Sequence, residues 1–533
     1  MAFRFALVIW AVAAVLAPVA LVPELSQARE HFQSRRFEEA AAQLRTILVA
    51  APDNLPARYL LVHTLIEANQ PELALREAEA AVEQARSESL SHVSLGDARF
   101  RLGDFEGAFA TYSEAVRLNA LEPRAALGLG RILFSDFRFK SAKEQFQRAF
   151  SLDEQDPDIA LAVSSVLPWS KARLDLEDQF VAGATYRDPE ELEGTRAFIS
   201  LFRRKAGSRP FAFESQPENL QLELESVPPY SMIPTGFLLP VSINRGEPRK
   251  LLVDTAAHGI VISSRFAGLD SIQSFVPYRL GGLGDQGRTP ASLGWADTIG
   301  IGEIALRDCP IIITDKPVGQ MWQGIIGTDV LRSYLVVLDF PEATLRLKKH
   351  SDGVAEEYAW DRLDEPSPGF VRLRLIEGKL LISVRINRRT EAFFILDTGA
   401  ARSLIDRKLA ERVSILTPSR RRIQGLSGQV GEALKTEELF VEFGGLERCA
   451  SLVAVDLSRV SYALGVEIGG LIGCDFLRDV CLTIITGMEQ PDCSRGPHTR
   501  ADLTESIKGF TNVGGYREIR WRGWLRHGRT TKW

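Results

Sequence analysis

One stretch of this sequence occurs twice, and the two copies limit what the second half of the chain can become. The first copy reads Leu251-Leu252-Val253-Asp254-Thr255-Ala256-Ala257, behind the alternating segment Phe237 to Ile243. The second runs from Phe393 to Leu396 into Asp397-Thr398-Gly399-Ala400, behind the segment Leu380 to Ile386. In each, an apolar β run delivers an Asp-Thr pair into a turn, and apolar residues resume at once at Ile260-Val261-Ile262 and Leu404-Ile405. Glycine-rich hairpin candidates follow, Gly281-Gly282-Leu283-Gly284 and Gly425-Leu426-Ser427-Gly428. Each copy then closes on an apolar-Gly-x-Asp run, Gly324-Ile325-Ile326-Gly327-Thr328-Asp329-Val330-Leu331 and Gly470-Leu471-Ile472-Gly473-Cys474-Asp475-Phe476-Leu477. The stretch from Asp254 to Gly327 is nearly equal in length to the stretch from Asp397 to Gly473. The duplicated object is therefore a whole β unit, not a tetrapeptide.

This order of features resembles the retropepsin-like aspartic peptidases, with two lobes in one chain as in the pepsin arrangement, over about residues 230–350 and 370–488. The resemblance implies an all-β bilobal fold and an endopeptidase that uses a pair of carboxyls, Asp254 and Asp397, without metal or other cofactor. Two carboxyls about 3 Å apart cannot both ionise, so they share a proton and titrate as a pair. The ionised member activates water and the protonated one serves the carbonyl oxygen of a peptide bond. By the same resemblance, Thr255 and Thr398 lock the two turns together, and the small residues Ala256 and Gly399 let backbone N–H groups approach the carboxyls. Gly281, Gly282, Gly284, Gly425 and Gly428 are the candidate flap residues, closing over an extended peptide or protein substrate bound as an added strand.

The first copy departs from the family pattern by placing Ala256 where glycine is usual. Three outcomes stay open on the sequence: an asymmetric pair within one chain, pairing of the second lobe with its copy in another chain, or a non-catalytic peptide-binding adaptor with degenerate lobes. Asp329 and Asp475 read as caps of the short helices that begin there, and His258 as a loop histidine. Cys309 and Cys449 take matching places and suggest a shared packing role. Cys474, Cys481 and Cys493 permit one disulfide in an exported compartment.

The first half repeats on a shorter interval. Ala40, Ala74, Ala108 and Ala142 recur at one constant spacing. Phe37, Pro71, Phe105 and Phe139 precede them; Leu44, Ala78, Tyr112 and Phe146, then Ile47, Ala81, Ala115 and Ala149, follow. Small residues at each turn let paired helices approach and stack. Gly96 and Gly130 mark where the helices of one hairpin touch, and Ala28 and Val62 stand in the corresponding places of the first two repeats. This resembles the tetratricopeptide repeat, an α-helical solenoid whose concave groove takes a peptide or protein partner. A plain spacer or an oligomer contact is the alternative.

Before the repeats, Phe5 to Val22 is an uncharged apolar run after Arg4, which fits a signal peptide or a retained membrane anchor, with a buried soluble helix as the third reading. Either of the first two would export the chain to an extracytoplasmic, periplasm-facing location. The expected organisation is a signal or anchor at 1–24, repeats at 25–167, a linker at 168–228 with some helix near Pro189 to Arg203, lobe one at 229–350, an inter-lobe linker at 351–368 and lobe two at 369–488. A basic, disordered tail at 489–533 follows, with nine Lys and Arg against three Asp and Glu from Arg495 onward. Over the whole chain the net charge is −5, which gives no reason to expect a nucleic-acid partner. The 45% hydrophobic and 25% charged residues exclude wholesale disorder. Five cysteines and seven scattered histidines offer no metal spacing. The function expected is that of an exported aspartic endopeptidase whose repeats recruit a protein partner or substrate.

Overall fold

The structure is a computed structural model and describes residues 24–205, 208–227, 235–284, 287–316, 319, 321–349, 372–419, 423–485 and 517–520. The N-terminal apolar run, the inter-lobe linker at 351–368, Cys493 and most of the basic tail lie outside the described residues. The chain divides into two compact units.

The first unit is built of helix pairs. A helix over residues 24–33 (α1) is followed by α2 (Phe37–Ala50), α3 (Leu55–Glu67), α4 (Pro71–Gln84), α5 (Ser89–Arg101), α6 (Phe105–Leu118), α7 (Pro123–Ser135), α8 (Phe139–Leu152) and α9 (Pro157–Ser165). The repeated alanines are fully buried, and so are Ala28 and Val62. A Cβ on Gly96 would stand 2.5 Å from the Tyr112 ring, and one on Gly130 would stand 2.4 Å from Phe146, so each hairpin closes on a glycine-aromatic contact. Asn54, Asp104 and Asp156 cap α3, α6 and α9 by accepting backbone N–H bonds. The turns inside the hairpins share a backbone signature absent from the residue pattern. Arg35, Asn69, Gly103 and Phe137, which recur at the same spacing as the alanines, have φ between +57° and +82°.

Residues 168–228 are more structured than a linker. They contain α10 (Lys171–Gly183), α11 (Pro189–Arg204) and strands β1 (Ala212–Ser215), β2 (Asn219–Glu223) and β3 (Glu225–Ser226). The loop between α10 and α11 packs onto the repeats. The Tyr186 ring stacks on Phe32 at 4.9 Å, its hydroxyl donates to Asp158 (2.8 Å), and Arg35 donates to its carbonyl (2.9 Å). Arg187 pairs with Asp158 (3.3 Å) and Glu67 (3.6 Å), and Arg124 also holds Asp158 (2.8 Å). One loop thus touches α1, α3 and α9, the first and last parts of the array.

The second unit holds both β lobes. Strands β4 (Phe237–Ile243), β5 (Arg249–Asp254), β6 (Ile260–Ser263), β7 (Gln273–Leu280), β8 (Thr289–Ile301), β9 (Ile304–Thr314) and β10 (Gly324–Gly327) form the first lobe, with β1 and β3 added at its margins. β11 (Tyr334–Asp339) and β12 (Thr344–Lys349) leave it for a separate sheet. In the second lobe are β13 (Leu373–Ile376), β14 (Lys379–Ile386), β15 (Thr390–Leu396), β16 (Leu404–Asp406), β17 (Leu416–Pro418), β18 (Gln424–Gly425), β19 (Gly428–Gln429), β20 (Leu434–Phe443), β21 (Leu446–Val455), β22 (Gly470–Ile472) and β23 (Val480–Ile485). β11 pairs with β23 and β12 with β2, so strands of both lobes share one sheet; β2 belongs here because its side chains alternate half-buried and exposed, as on an edge. Within the expected tail, Arg517–Arg520 pairs parallel to β23.

The duplication extends to turn geometry. β4 and β5 join through Asn244-Arg245, and β14 and β15 join through the equivalent pair Asn387-Arg388, with φ between +48° and +60° at all four. Each pair opens a longer turn, residues 244–248 between β4 and β5 and residues 387–389 between β14 and β15, so the left-handed pair is shared by two turns of different length. Cys309 and Cys449 do not share a role. Val261 pairs with Ile312 and Leu404 with Val453, which puts Cys309 three places before its reference residue and Cys449 four places before. A one-residue offset in a strand reverses the face, so Cys309 is buried and Cys449 exposed. Among the described residues, Cys309, Cys449, Cys474 and Cys481 form no disulfide with one another.

Asp158 is the charge on which the array's closure depends. Burial alone would raise its carboxyl, but Arg124, Arg187 and Arg131 outweigh that and hold it well below the ordinary carboxylate range. Asp158→Ala takes a shared acceptor from Arg124, Arg187 and the Tyr186 hydroxyl, leaving Arg124 to Asp156 and Arg187 to Glu67, and urea unfolding of the full chain should show a loss of about 1–3 kcal/mol in the repeat transition. Because the folded value is depressed, the stabilisation is complete above the ordinary carboxylate range and fades as pH falls through the depressed value. Asp158→Asn should remove that acid dependence.

Candidate active site

Asp254 ends β5, and Asp397 directly follows β15. In each lobe a third strand spans the two legs of the aspartate turn. β10 runs parallel to β5 and antiparallel to β6, and β22 does the same between β15 and β16. This explains the Gly in the closing motif, since a Cβ on Gly327 would stand 2.5 Å from the Ala257 carbonyl, and one on Gly473 2.8 Å from that of Ala400.

The two turns meet through their threonines. Thr255 Oγ1 donates to the Leu396 carbonyl (2.8 Å), and Thr398 Oγ1 donates to that of Val253 (2.9 Å). In return the Thr255 N–H donates to Thr398 Oγ1 (3.0 Å) and the Thr398 N–H to Thr255 Oγ1 (3.1 Å). Both side chains are buried, and each hydroxyl both donates and accepts. This grip brings the two carboxyls close enough for each to act on the other's ionisation. Asp254 Oδ1 also accepts from the Ala256 N–H (2.7 Å), and Asp397 Oδ1 from the Ala400 N–H (2.8 Å).

Both carboxyls are held above their ordinary range. Burial is the main cause for each, and for Asp397 the neighbouring Asp254 charge adds to it, pushing this group to about 8. Backbone N–H groups and the Lys379 ammonium act in the opposite direction on both. Such a pair keeps one proton across the weakly acidic to neutral range and presents an ionised and a protonated carboxyl together.

Ala256 is accommodated without strain. Among the described residues with positive φ it does not figure, so its methyl group carries no left-handed penalty. The second lobe is the stricter one. A Cβ on Gly399 would lie 2.5 Å from Asp254 Cγ, so this glycine is required by the close approach of the opposite carboxyl.

The glycine hairpins of the two lobes touch each other. The Ser427 N–H donates to the Leu283 carbonyl (3.0 Å), and Thr289 Oγ1 donates to that of Leu426 (3.1 Å). Gly284 has φ +135°, and a Cβ there would stand 2.5 Å from the Ser427 backbone. Gly282 faces Leu426, and Gly425 faces Leu283; Gly428 has φ +97°, while Gly281 has open space around it.

Asp329 and Asp475 do not cap their helical turns, whose N-cap residues are Gly327 and Gly473 with no side-chain cap bond. They reach back instead to the residue that leads out of each aspartate turn. Asp329 accepts from the Gly259 N–H (3.0 Å), and Asp475 from the Ser403 N–H (2.8 Å) and hydroxyl (2.7 Å). His258 has a structural partner as well, since its Nε2 lies 2.9 Å from the Glu377 carbonyl. The residue that the motif gave no reason to single out is Lys379, at the start of β14, whose ammonium donates to the Ala256 carbonyl. Its only sequence signal was a lysine opening the strand that precedes the second Asp-Thr, too common to be informative. Cys474, inside the closing motif, donates its thiol to the Thr398 carbonyl (3.2 Å), and burial raises that thiol strongly.

Residues 239–330 and 382–476 match the model of the aspartyl protease family, and residues 31–92 and 93–157 match two tetratricopeptide repeat models. The chain thus carries tetratricopeptide repeats followed by a bilobal, retropepsin-like aspartyl protease domain. No curated protein matches it. Among solved structures it is similar to PilF of Pseudomonas aeruginosa, at 19% identity over 36% of this chain and 87% of that one, with a TM-score of 0.27. It is also similar to a thermophilic tetratricopeptide protein of Thermus thermophilus, at 20% identity over 34% and 97%, with a TM-score of 0.28. A MamA structure is similar at 19% identity over 32% and 96%, with a TM-score of 0.22.

The lobes should respond unequally to exchange at their third turn position. Gly399→Ala drives a methyl group into the Asp254 carboxyl and should cost about 1–3 kcal/mol of stability, as overpacking does. Ala256→Gly removes a tolerated methyl and should cost no more than about 1 kcal/mol, through backbone entropy. Chemical denaturation of the full chain measures both.

Proposed function

We propose that this protein is an aspartic endopeptidase in which Asp254 and Asp397 of one chain hydrolyse a peptide bond through an activated water. The observation that carries the proposal is the reciprocal Thr255–Thr398 bonding, which brings the two aspartate turns together within a single chain. It favours an intramolecular pair over a pair formed between second lobes of two chains.

The ionised carboxyl takes a proton from water as the water oxygen attacks the scissile carbonyl carbon. The protonated carboxyl gives its proton to the carbonyl oxygen, forming a neutral gem-diol. Collapse breaks the C–N bond as the leaving nitrogen takes a proton from one carboxyl and a gem-diol hydroxyl returns its proton to the other, so one shared proton remains for the next cycle. Substrate enters as an extended strand when the bond between Ser427 and Leu283 opens, and re-forming it excludes water from the reaction.

The tetratricopeptide array supplies a protein-binding scaffold in the same chain, recruiting a partner or substrate. Part of it is already engaged by the Tyr186-Arg187 loop, so recruitment uses the surface that this loop leaves open. The apolar run Phe5 to Val22 supports export and an extracytoplasmic location, with the N-terminus as signal or membrane anchor.

The test is cleavage of a diverse peptide library by the full-length protein. Asp254→Asn and Asp397→Asn should each reduce turnover by at least about a thousandfold, because removing either member of a unit removes nearly all its effect. Loss with Asp397→Asn alone would instead indicate pairing between chains. If a well-folded parent cuts nothing, the chain is a peptide-binding adaptor.

The pH profile of kcat/KM should be bell-shaped. Activity falls as pH drops through the raised value of Asp254, where both carboxyls carry protons, and falls again as pH rises through about 8, where Asp397 loses the shared proton. An optimum well below about pH 4, the ordinary carboxylate value, would contradict this assignment. Gly284→Ala should leave Asp254 and Asp397 untouched and lower kcat/KM by about tenfold or more, since the flap contact with Ser427 has no room for a methyl group.

A further inference from the structure

One charged side chain near the carboxyl pair has no part in the chemistry above. β13 and β14 are joined by the turn Glu377-Gly378, with φ +44° and +68°, and Lys379 follows directly. This second-lobe turn lies against the first lobe's aspartate turn at two points. The Lys379 ammonium donates to the Ala256 carbonyl, and His258 Nε2 meets the Glu377 carbonyl at 2.9 Å. The fit is close, for a Cβ on Gly378 would fall 1.8 Å from the His258 ring. Ala256 is therefore held on both sides, by Asp254 Oδ1 at its N–H and by Lys379 at its carbonyl.

We infer that Lys379 is a positioning residue for the carboxyl pair, fixing the Ala256 peptide and keeping Asp254 the ionised member while Asp397 holds the shared proton. The inference rests on the endopeptidase reading for its kinetic consequence but not for its electrostatic one. With one proton shared, the pair carries a single negative charge, and the ammonium neutralises it in a half-buried setting where an unpaired charge is costly.

The groups that face Lys379 support this polarity. Burial lowers the ammonium, and four carboxyls act to retain its proton, Asp254 most strongly, followed by Asp329, Asp397 and its neighbour Glu377. Asp329 is itself engaged by His258, by the Gly259 N–H and by Arg332, so part of its charge is answered elsewhere. Cys474, next to Asp397, stays a neutral thiol because burial raises it. The ammonium thus favours charge on Asp254, and the raised Asp397 keeps the proton.

The experiment compares the full-length parent with Lys379→Met and Lys379→Arg in two readouts, the pH profile of peptide cleavage and a carbon-13 NMR titration of the aspartate carboxyls. Lys379→Met should move the acid limb of kcat/KM upward by about one to two pH units, the effect of losing a nearby opposite charge. The Asp254 carboxyl resonance should titrate with the same displacement, and Lys379→Arg should keep both near the parent. A Lys379→Met profile that overlays the parent's, with only a lower kcat or lower stability, would overturn the inference. If the parent cleaves no peptide, the endopeptidase reading fails, while the NMR titration still decides whether Lys379 sets the ionisation of Asp254.

Discussion

Four hydrogen bonds made by two threonines hold this site in existence. Asp254 and Asp397 come from distant segments of the chain, and two carboxyls in contact repel once both ionise. Something other than the carboxyls must therefore keep the turns together. The Thr255 and Thr398 hydroxyls do so by donating across the lobes to Leu396 and Val253 while accepting each other's N–H. Each such bond nets only about 1 kcal/mol, but a buried donor left without its acceptor costs about 1–3 kcal/mol. The grip is stable less for what its bonds add than for what their separate loss would leave unsatisfied.

The rest of the β unit is arranged to serve those turns. β10 and β22 bridge the legs of the aspartate loops, glycines 327 and 473 let the following turn approach, and Asp329 and Asp475 tie down the exits at Gly259 and Ser403. The shared sheet of β2, β12, β11 and β23 joins both lobes through backbone ladders rather than through the site. The carboxyls can then be kept in a proton-sharing state that their own interaction would not stabilise.

Much of this was legible because it is periodic or duplicated. The regular alanine interval pointed to the helical pairs, and the two Asp-Thr runs pointed to the lobes and their turns. Other features were hidden for identifiable physical reasons. Left-handed φ at Arg35 and Phe137 is imposed by the turn, not by residue type, so only Asn69 and Gly103 announce it. β1 to β3 are short edge strands, and β1 and β2 pair with partners far along the chain, β9 and β12. Asp329 and Asp475 sit where caps belong, but the loop they bind comes from another strand. Lys379 is beyond sequence reasoning of this kind, since its importance lies in which turn faces which across the lobes.

The difference between the two copies follows from having both in one chain. In an assembly of identical lobes any change in the turn appears twice, and a methyl group at the third position would meet both carboxyls. Here the positions have separated. Gly399 faces the Asp254 carboxyl at a distance that forbids a Cβ, whereas Ala256 carries one without strain and has its carbonyl held by Lys379. A single ammonium placed on one side of the pair lifts the degeneracy that symmetry would enforce. On the reading proposed above, that ammonium sets the carboxyls apart as base and acid before any substrate arrives. On this view Ala256 is no sign of decay. It belongs to the side of the pair where an ammonium has taken over part of the work of holding a charge.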